Sequence, residues 1–215
     1  MTINIILADD HHVIREGLRL LLDREKDLLV LAEADSGRTA LSAVKQFKPD
    51  VVVMDVSMPE LNGMEATRKI ISEASGTKVL ALSMYSDKRF VNGMFQAGVS
   101  GYILKNCIAR ELVSAIRLVA KGQVYISPEI AETIVAGYLS QAVLENNTNR
   151  RTLTHREREI LQLISEGQHT KKIAETLHVS TKTVDAHRRN IMEKIGTHSI
   201  AELTKFAIRE GITTL

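Results

Sequence analysis

Three carboxylates, a hydroxyl and an ammonium stand directly after short apolar runs in the first 105 residues, and chemistry could be built from these side chains. Asp9 and Asp10 follow Ile3 to Ala8, and Asp55 follows Val51-Val52-Val53-Met54. Ser83 follows Thr77 to Leu82, and Lys105 follows Gly101 to Leu104. Such runs read as buried strands. The carboxyl edge of an open α/β sheet is where these folds bind ligands, so polar groups delivered there are better placed than on a helix surface. Each has a plain explanation when taken singly: Asp55 a solvated turn residue, Ser83 a turn former, Lys105 a surface charge. Their agreement at successive strand ends argues for one site. Three acids so close repel one another. A hard divalent cation with oxygen ligands, most simply Mg²⁺, would relieve that, and so would a proton held by one carboxyl. His11 and His12 come next, but a hard oxygen site disfavours a transition metal, and the pair can simply start a helix.

These side chains meet only if their strands are neighbours. Strand-like runs at Ile3 to Ala8, Leu28 to Ala34, Val51 to Met54, Thr77 to Leu82 and Gly101 to Leu104 alternate with helical-period segments. The helical segments lie near His12 to Arg24, Gly37 to Phe47, Gly63 to Ala74, Lys88 to Ala97 and Arg110 to Ala120. Five βα units predict a flavodoxin-like, doubly wound, five-stranded parallel α/β sheet over residues 1–122, with right-handed crossovers and strand order 2-1-3-4-5. That order sets the first strand beside the third, and so Asp9 and Asp10 beside Asp55.

Residues 1–122 resemble the receiver domain of bacterial two-component response regulators. The resemblance is carried by Asp9-Asp10, Asp55 with Met58-Pro59 and Gly63, Ser83, and Gly101-Tyr102-Ile103-Leu104-Lys105. It implies that Asp55 accepts a phosphoryl group from a partner histidine kinase. It implies also that Asp9, Asp10, Asp55 and the backbone carbonyl of Ser57 hold Mg²⁺, that Lys105 pairs with the phosphate, and that Ser83 and Tyr102 form the switch pair. Movement of Ser83 would vacate space that Tyr102 could fill, altering the surface from Asp87 to Lys121. Asn106 departs from the pattern, since many receivers have proline after the lysine, often with a cis bond, and none is expected here.

The rest of the chain differs in character. Apolar runs of four or five residues are too short to span a membrane. The first eight residues carry no basic stretch and lead into two acids, so no signal peptide is expected. Cys107 is alone, which excludes an internal disulfide and fits a small buried hydrophobe in a cytoplasmic protein. Residues 150–215 hold 12 Lys and Arg against 8 Asp and Glu, a basic excess that points to a polyanionic partner. Before them, Ser127-Pro128-Glu129 reads as a helix start running to about Val143, and Glu145 to Arg151 as a flexible linker, so 123–151 is expected to connect two domains.

Residues 152–215 are helical in period throughout. Thr154-His155-Arg156-Glu157 and Ser199-Ile200-Ala201-Glu202 read as capping boxes. A short helix over Thr170 to Leu177, a turn at His178-Val179-Ser180 and a longer helix over Thr181 to Ile195 predict a helix-turn-helix within an all-α domain of four helices. Projecting the longer helix places Val184, Ile191 and Ile195 inward. Lys182, Ala186, Arg189 and Glu193 project outward, with Asp185 at the edge. Residues 152–212 resemble the LuxR-type helix-turn-helix domain, through Leu153-Thr154-x-Arg156-Glu157-x-Glu159, Ile173-Ala174 and Ser180-x-Lys182-Thr183-Val184-x-x-His187-Arg188. Receiver and LuxR-type domain together are the arrangement of the NarL/FixJ group. The resemblance implies base contacts from Lys182, Asp185, Ala186 and Arg189 and backbone contacts from Thr183, His187, Arg188 and Lys194, on double-stranded DNA bound by a homodimer. Asp185 stands where a lysine is often found, and an acid there accepts from a cytosine amino group or excludes by repelling phosphate. An aspartate-nucleophile phosphohydrolase is the rival reading. It lacks a second Asp two residues after Asp55, where Ser57 stands, and has no use for a DNA-binding module, so a turnover enzyme is not expected.

Overall fold

The computed structural model describes residues 2–74, 76–131 and 153–214. The chain divides into two compact units, Met1–Glu145 and Asn146–Leu215.

In the first unit the strands β1 (Ile3–Ala8), β2 (Leu28–Ala34), β3 (Val51–Asp55), β4 (Lys78–Ser83), β5 (Gly101–Leu104) and β6 (Tyr125–Ile126) form one sheet in the order β2-β1-β3-β4-β5-β6. Every pairing is parallel. The connecting helices are α1 (His12–Leu22), α2 (Gly37–Phe47), α3 (Gly63–Glu73), α4 (Lys88–Ala97) and α5 (Ile108–Ala120). The central strand β3 is buried along its whole length, as its unbroken valines predict. Its core partners are Ile5, Ile6 and Leu7 of β1, Leu80 and Leu82 of β4, and Ile116 and Val119 of α5. Local chemistry sets the helix ends: Ser36 and Thr39 form a capping box at α2, Asn62 accepts from Glu65 N at α3, and Asp87 accepts from Arg89 N at α4.

The expected order 2-1-3-4-5 is present, with one addition. The two-residue strand β6 pairs with β5 through Gly101↔Tyr125 and Tyr102↔Ile126. So short a run gives no periodicity to read. It is possible because position 101 is glycine: a Cβ there would lie 2.8 Å from the Tyr125 carbonyl oxygen and 2.8 Å from Leu80 Cδ1. After β6 the Ser127 N–H donates to the Tyr102 carbonyl at 3.0 Å, and the Ser127 hydroxyl donates to Glu111 of α5 at 2.5 Å. A helix begins at 128, as Pro128 predicts, and is described through 131. The remainder of the expected helix to Val143 and the linker from Glu145 to Arg151 lie outside the described residues.

The second unit is a bundle of α6 (His155–Ser165), α7 (Thr170–Leu177), α8 (Thr181–Ile195) and α9 (Ile200–Arg209). Its core is built from Ile160, Leu161, Leu163, Ile173, Leu177, Val184, Ile191, Leu203 and Ala207. The Thr154–Glu157 capping box forms. The second box does not: Ser199 makes no side-chain cap, because the Glu202 carboxylate accepts instead from the hydroxyl of buried Thr197. The turn between α7 and α8 opens at His178, whose φ of 52° closes α7 in the left-handed conformation, and ends at Ser180, whose Oγ accepts from Thr183 N.

Candidate functional site

Parallel register brings the polar strand ends of the first unit together. Ala8 lies opposite Met54, so Asp9 emerges beside Asp55. Asp55 faces Leu82, and Ser83 faces Leu104, so Ser83 and Lys105 emerge next along the same rim. The loop after β3 is held close by the Gly63 N–H, which donates to the Val56 carbonyl at 3.0 Å. A Cβ at Gly63 would fall 2.0 Å from the Asp55 carbonyl oxygen, so a glycine is needed behind the acid.

At the rim Asp9 and Asp55 are 0% and 3% exposed. Lys105 Nζ lies 2.7 Å from Asp9 Oδ2 and 2.7 Å from Asp55 Oδ2. It hydrogen-bonds the Asp55 oxygen and makes an equally short ion pair with Asp9 Oδ2. The Ser57 N–H donates to Asp55 Oδ1 at 3.3 Å. Burial pushes the Asp55 carboxyl up to about 6, and the neighbouring Asp9 adds to the rise. Lys105 and the Ser57 N–H act in the opposite direction without offsetting it. Burial would lower the Lys105 ammonium, but the charges of Asp55 and Asp9 outweigh it and hold it above the ordinary lysine value. One ammonium is therefore shared by two buried acids, with Asp10 in the same cluster. Ligand atoms of Asp9, Asp10, His11 and Asp55 all lie within 4.8 Å of one another. A carboxylate held this far from its ordinary value by its surroundings, among hard oxygen donors, fits a divalent cation. Asp9, Asp10 and Asp55 are the side chains to hold it.

Arg15 escaped the sequence reading. Its Nη1 donates to the Asp9 carbonyl at 2.6 Å and its Nε to Glu33 at 3.0 Å, fixing the end of β1. Helical spacing from α1 could have placed it over the strand end, but nothing in its type marks it. Ser83 and Tyr102 are joined through the backbone of one residue, Tyr85. Ser83 Oγ accepts from the Tyr85 N–H at 2.9 Å, and the Tyr102 hydroxyl donates to the Tyr85 carbonyl at 2.7 Å. The Tyr102 ring is fully buried in this conformation. Burial pushes its phenol well above the ordinary value, with the Ser83 hydroxyl acting the other way, so it remains a donor.

In the second unit α8 turns Val184 and Ile191 into the core and packs Ile195 against it. Lys182, Asp185 and Arg189 are exposed, and Thr183, Ala186, His187 and Arg188 are half-buried. Lys194 is engaged within the unit: its Nζ donates to Glu157 Oε2 at 2.7 Å, tying α8 to the capping box of α6. Burial alone would raise the Glu157 carboxyl, but Lys194 and the N–H and hydroxyl of Thr154 outweigh it and hold it below the usual carboxylate range. Lys171 and Lys172, exposed in the first turn of α7, add basic charge that the sequence reading did not single out.

Comparison with known proteins bears on both units. Residues 5–117 match the response regulator receiver domain, and residues 151–207 match the bacterial regulatory proteins of the luxR family. The oxygen regulatory protein NreC of Staphylococcus carnosus is 40% identical over 212 residues, covering 97% of this chain and 98% of NreC. A LuxR-family two-component response regulator from an Aurantimonas species is 37% identical with a TM-score of 0.62, over 65% of this chain and 99% of that one. ChrA, the response regulator of a heme-sensing two-component system, is 32% identical with a TM-score of 0.54, over 98% of both chains.

Proposed function

The chain belongs to the two-component response regulators that join a receiver domain to a LuxR-type DNA-binding domain, a family of phosphorylation-controlled transcription regulators, and on that premise we propose residue roles. Asp55 is the phosphoacceptor, Lys105 the phosphate's counter-charge, and α8 the helix that enters the major groove. The observation that carries this is the buried Asp55 carboxylate at a strand's end, bridged to Asp9 by one ammonium. We assign residues 1–122 to the receiver, 123–151 to the connection and 152–215 to the DNA-binding domain.

An oxygen of Asp55 forms the bond to phosphorus while the bond from phosphorus to the donor breaks, and its electron pair leaves with the donor. Asp55 is a weak nucleophile, so position must compensate, and the Lys105 and Ser57 hydrogen bonds fix both its oxygens. Asp9, Asp10, Asp55 and the Ser57 carbonyl would hold Mg²⁺, which when bound would supply charge neutralisation for the acids and the transferring oxygens. Lys105, released from Asp55, pairs with a phosphoryl oxygen. Ser83 turns its hydroxyl toward the new acceptor, and loss of its bond to the Tyr85 N–H loosens the residue whose carbonyl holds Tyr102. The signal therefore begins at residues 83–85. This chemistry stops at the phosphoryl-protein, and turnover of small phosphoesters is not its purpose.

In the second domain Lys182, Asp185, Ala186 and Arg189 face base edges, and Thr183, His187 and Arg188 face phosphates. Lys194 reaches phosphate only by leaving Glu157. The protein binds paired half-sites as a homodimer. Among the described residues no helix is long and apolar enough to cross a membrane, and we place the protein in the cytoplasm with its kinase and DNA. The test is labelling by a small acyl phosphate with Mg²⁺. The parent takes one phosphoryl group, Asp55→Asn takes none, and undiminished labelling of Asp55→Asn removes the assignment.

A further inference from the structure

His11 and His12 look equivalent as the start of a helix, and the structure separates them. His11 occupies the N-cap position of α1 with extended backbone, yet its side chain makes no cap. Its ring instead turns to the acids. Nδ1 lies 2.9 Å from Asp10 Oδ1 and 3.3 Å from Asp9 Oδ1, while the His11 N–H donates to Asp9 Oδ1 at 2.9 Å and so fixes the backbone beneath it. His12 points the other way, with Nδ1 3.6 Å from Glu16 on the outer face of α1. His11 thus brings a nitrogen into the same cluster as Asp9, Asp10 and Asp55. Asp9 in that cluster is fully buried, with its Oδ2 paired to Lys105 Nζ at 2.7 Å and its Oδ1 turned toward His11.

The spacing is that of ligands as well as of hydrogen bonds. Donors about 2.1 Å from an octahedral ion are about 3.0 Å apart along each edge of the octahedron. The two distances from His11 Nδ1 to the carboxylate oxygens, 2.9 and 3.3 Å, bracket that edge. The ring is 62% exposed, so it sits at the open mouth of the site, where an ion would enter. To bind, the ring presents the Nδ1 lone pair and carries its proton on Nε2.

We propose that His11 Nδ1 is a ligand for the divalent cation held by Asp9, Asp10 and Asp55, so that this site takes Mn²⁺, Co²⁺ or Ni²⁺ with a nitrogen donor and Mg²⁺ with oxygens alone. Imidazole suits the later transition metals, whereas Mg²⁺ keeps water in preference to nitrogen. The metal that occupies the site then depends on which ions surround the protein. The proposal rests on the cation reading of the acid cluster.

The test uses the full chain and two readouts. Affinities for Mg²⁺ and Ni²⁺ are measured by calorimetry for the parent, His11→Ala and His12→Ala. Mn²⁺-loaded protein labelled with ¹⁵N-histidine is examined by electron spin echo for a coupled histidine nitrogen. His11→Ala loses tenfold or more in Ni²⁺ affinity and less than twofold in Mg²⁺ affinity, and the nitrogen coupling disappears. His12→Ala behaves as the parent. Equal losses for both ions, no loss for Ni²⁺, or a nitrogen coupling that survives in His11→Ala overturns the assignment while leaving the cation site standing. Absence of Mg²⁺ binding in the parent overturns the cation reading as well.

Discussion

Replacing Asp55 by asparagine should make the metal-free receiver more stable, although it removes the proposed phosphoacceptor. The Asp55 carboxyl is pushed from 3.8 up to about 6 in the fold, chiefly by burial. Between those values the folded protein holds a proton that the unfolded chain releases. Stability is therefore fully present below about pH 4 and is lost as pH rises through about 6. A shift of roughly two units at about 1.4 kcal/mol per unit makes that loss about 3 kcal/mol. Asparagine carries no charge to desolvate and escapes it. The assay is urea unfolding in the presence of a chelator, followed by tyrosine fluorescence. All four tyrosines precede residue 146 and there is no tryptophan, so the probe reports the first unit alone. With a typical dependence of about 1–3 kcal/mol per molar urea, the Asp55→Asn midpoint at pH 7.5 should lie about 1–3 M above the parent's. The two midpoints should converge near pH 4. If the folded acid cluster takes Mg²⁺ as proposed, millimolar Mg²⁺ should raise the parent and narrow the gap. Equal midpoints at pH 7.5, or a difference that persists unchanged at pH 4, would refute the claim that Asp55 is held charged against its burial.

Tyr102→Phe removes the donor to the Tyr85 carbonyl and should cost the receiver about 1–2 kcal/mol by the same unfolding assay; no loss would mean that the hydroxyl does not hold that peptide. Lys105→Ala should still accept a phosphoryl group but fail to change DNA binding when labelled, and a response equal to the parent's would exclude Lys105 from the coupling. On DNA, Arg189→Ala should cost about 1–3 kcal/mol and relax preference at one base pair. Arg188→Ala should instead weaken all sequences alike and lower the salt dependence by roughly one phosphate contact. If over a salt series Arg189→Ala keeps the base preference and Arg188→Ala loses it, the projection of α8 is rotated.

The sheet and its rim were legible because β3 is buried along its length and breaks at one carboxylate, and because parallel register must deliver neighbouring strand ends together. The inward face of α8 was legible for the same reason, since Val184 and Ile191 fall on one helical stripe. What escaped depends on contacts between distant residues of ordinary type. Strand β6 needs Gly101 on its neighbour, the Glu202 carboxylate prefers the Thr197 hydroxyl to a cap, and Arg15 reaches back from α1 to the Asp9 carbonyl. Tyr102 was legible as part of the last long strand, but its hydroxyl's partner, the Tyr85 carbonyl, is one that no spacing reveals. Lys194 looked free as a charge on a helix and is bound to Glu157, thirty-seven residues away.

The central claim is that a phosphoryl group on Asp55 changes how the second domain binds DNA. It is tested most directly by measuring affinity for a selected DNA sequence before and after treatment with an acyl phosphate and Mg²⁺, in the parent and in Asp55→Asn. A coupling of about 1–3 kcal/mol predicts a change of roughly 5- to 150-fold in the parent, and none in the variant. A parent that is fully labelled at Asp55 yet binds DNA unchanged, or an Asp55→Asn variant that shows the same change, contradicts the account.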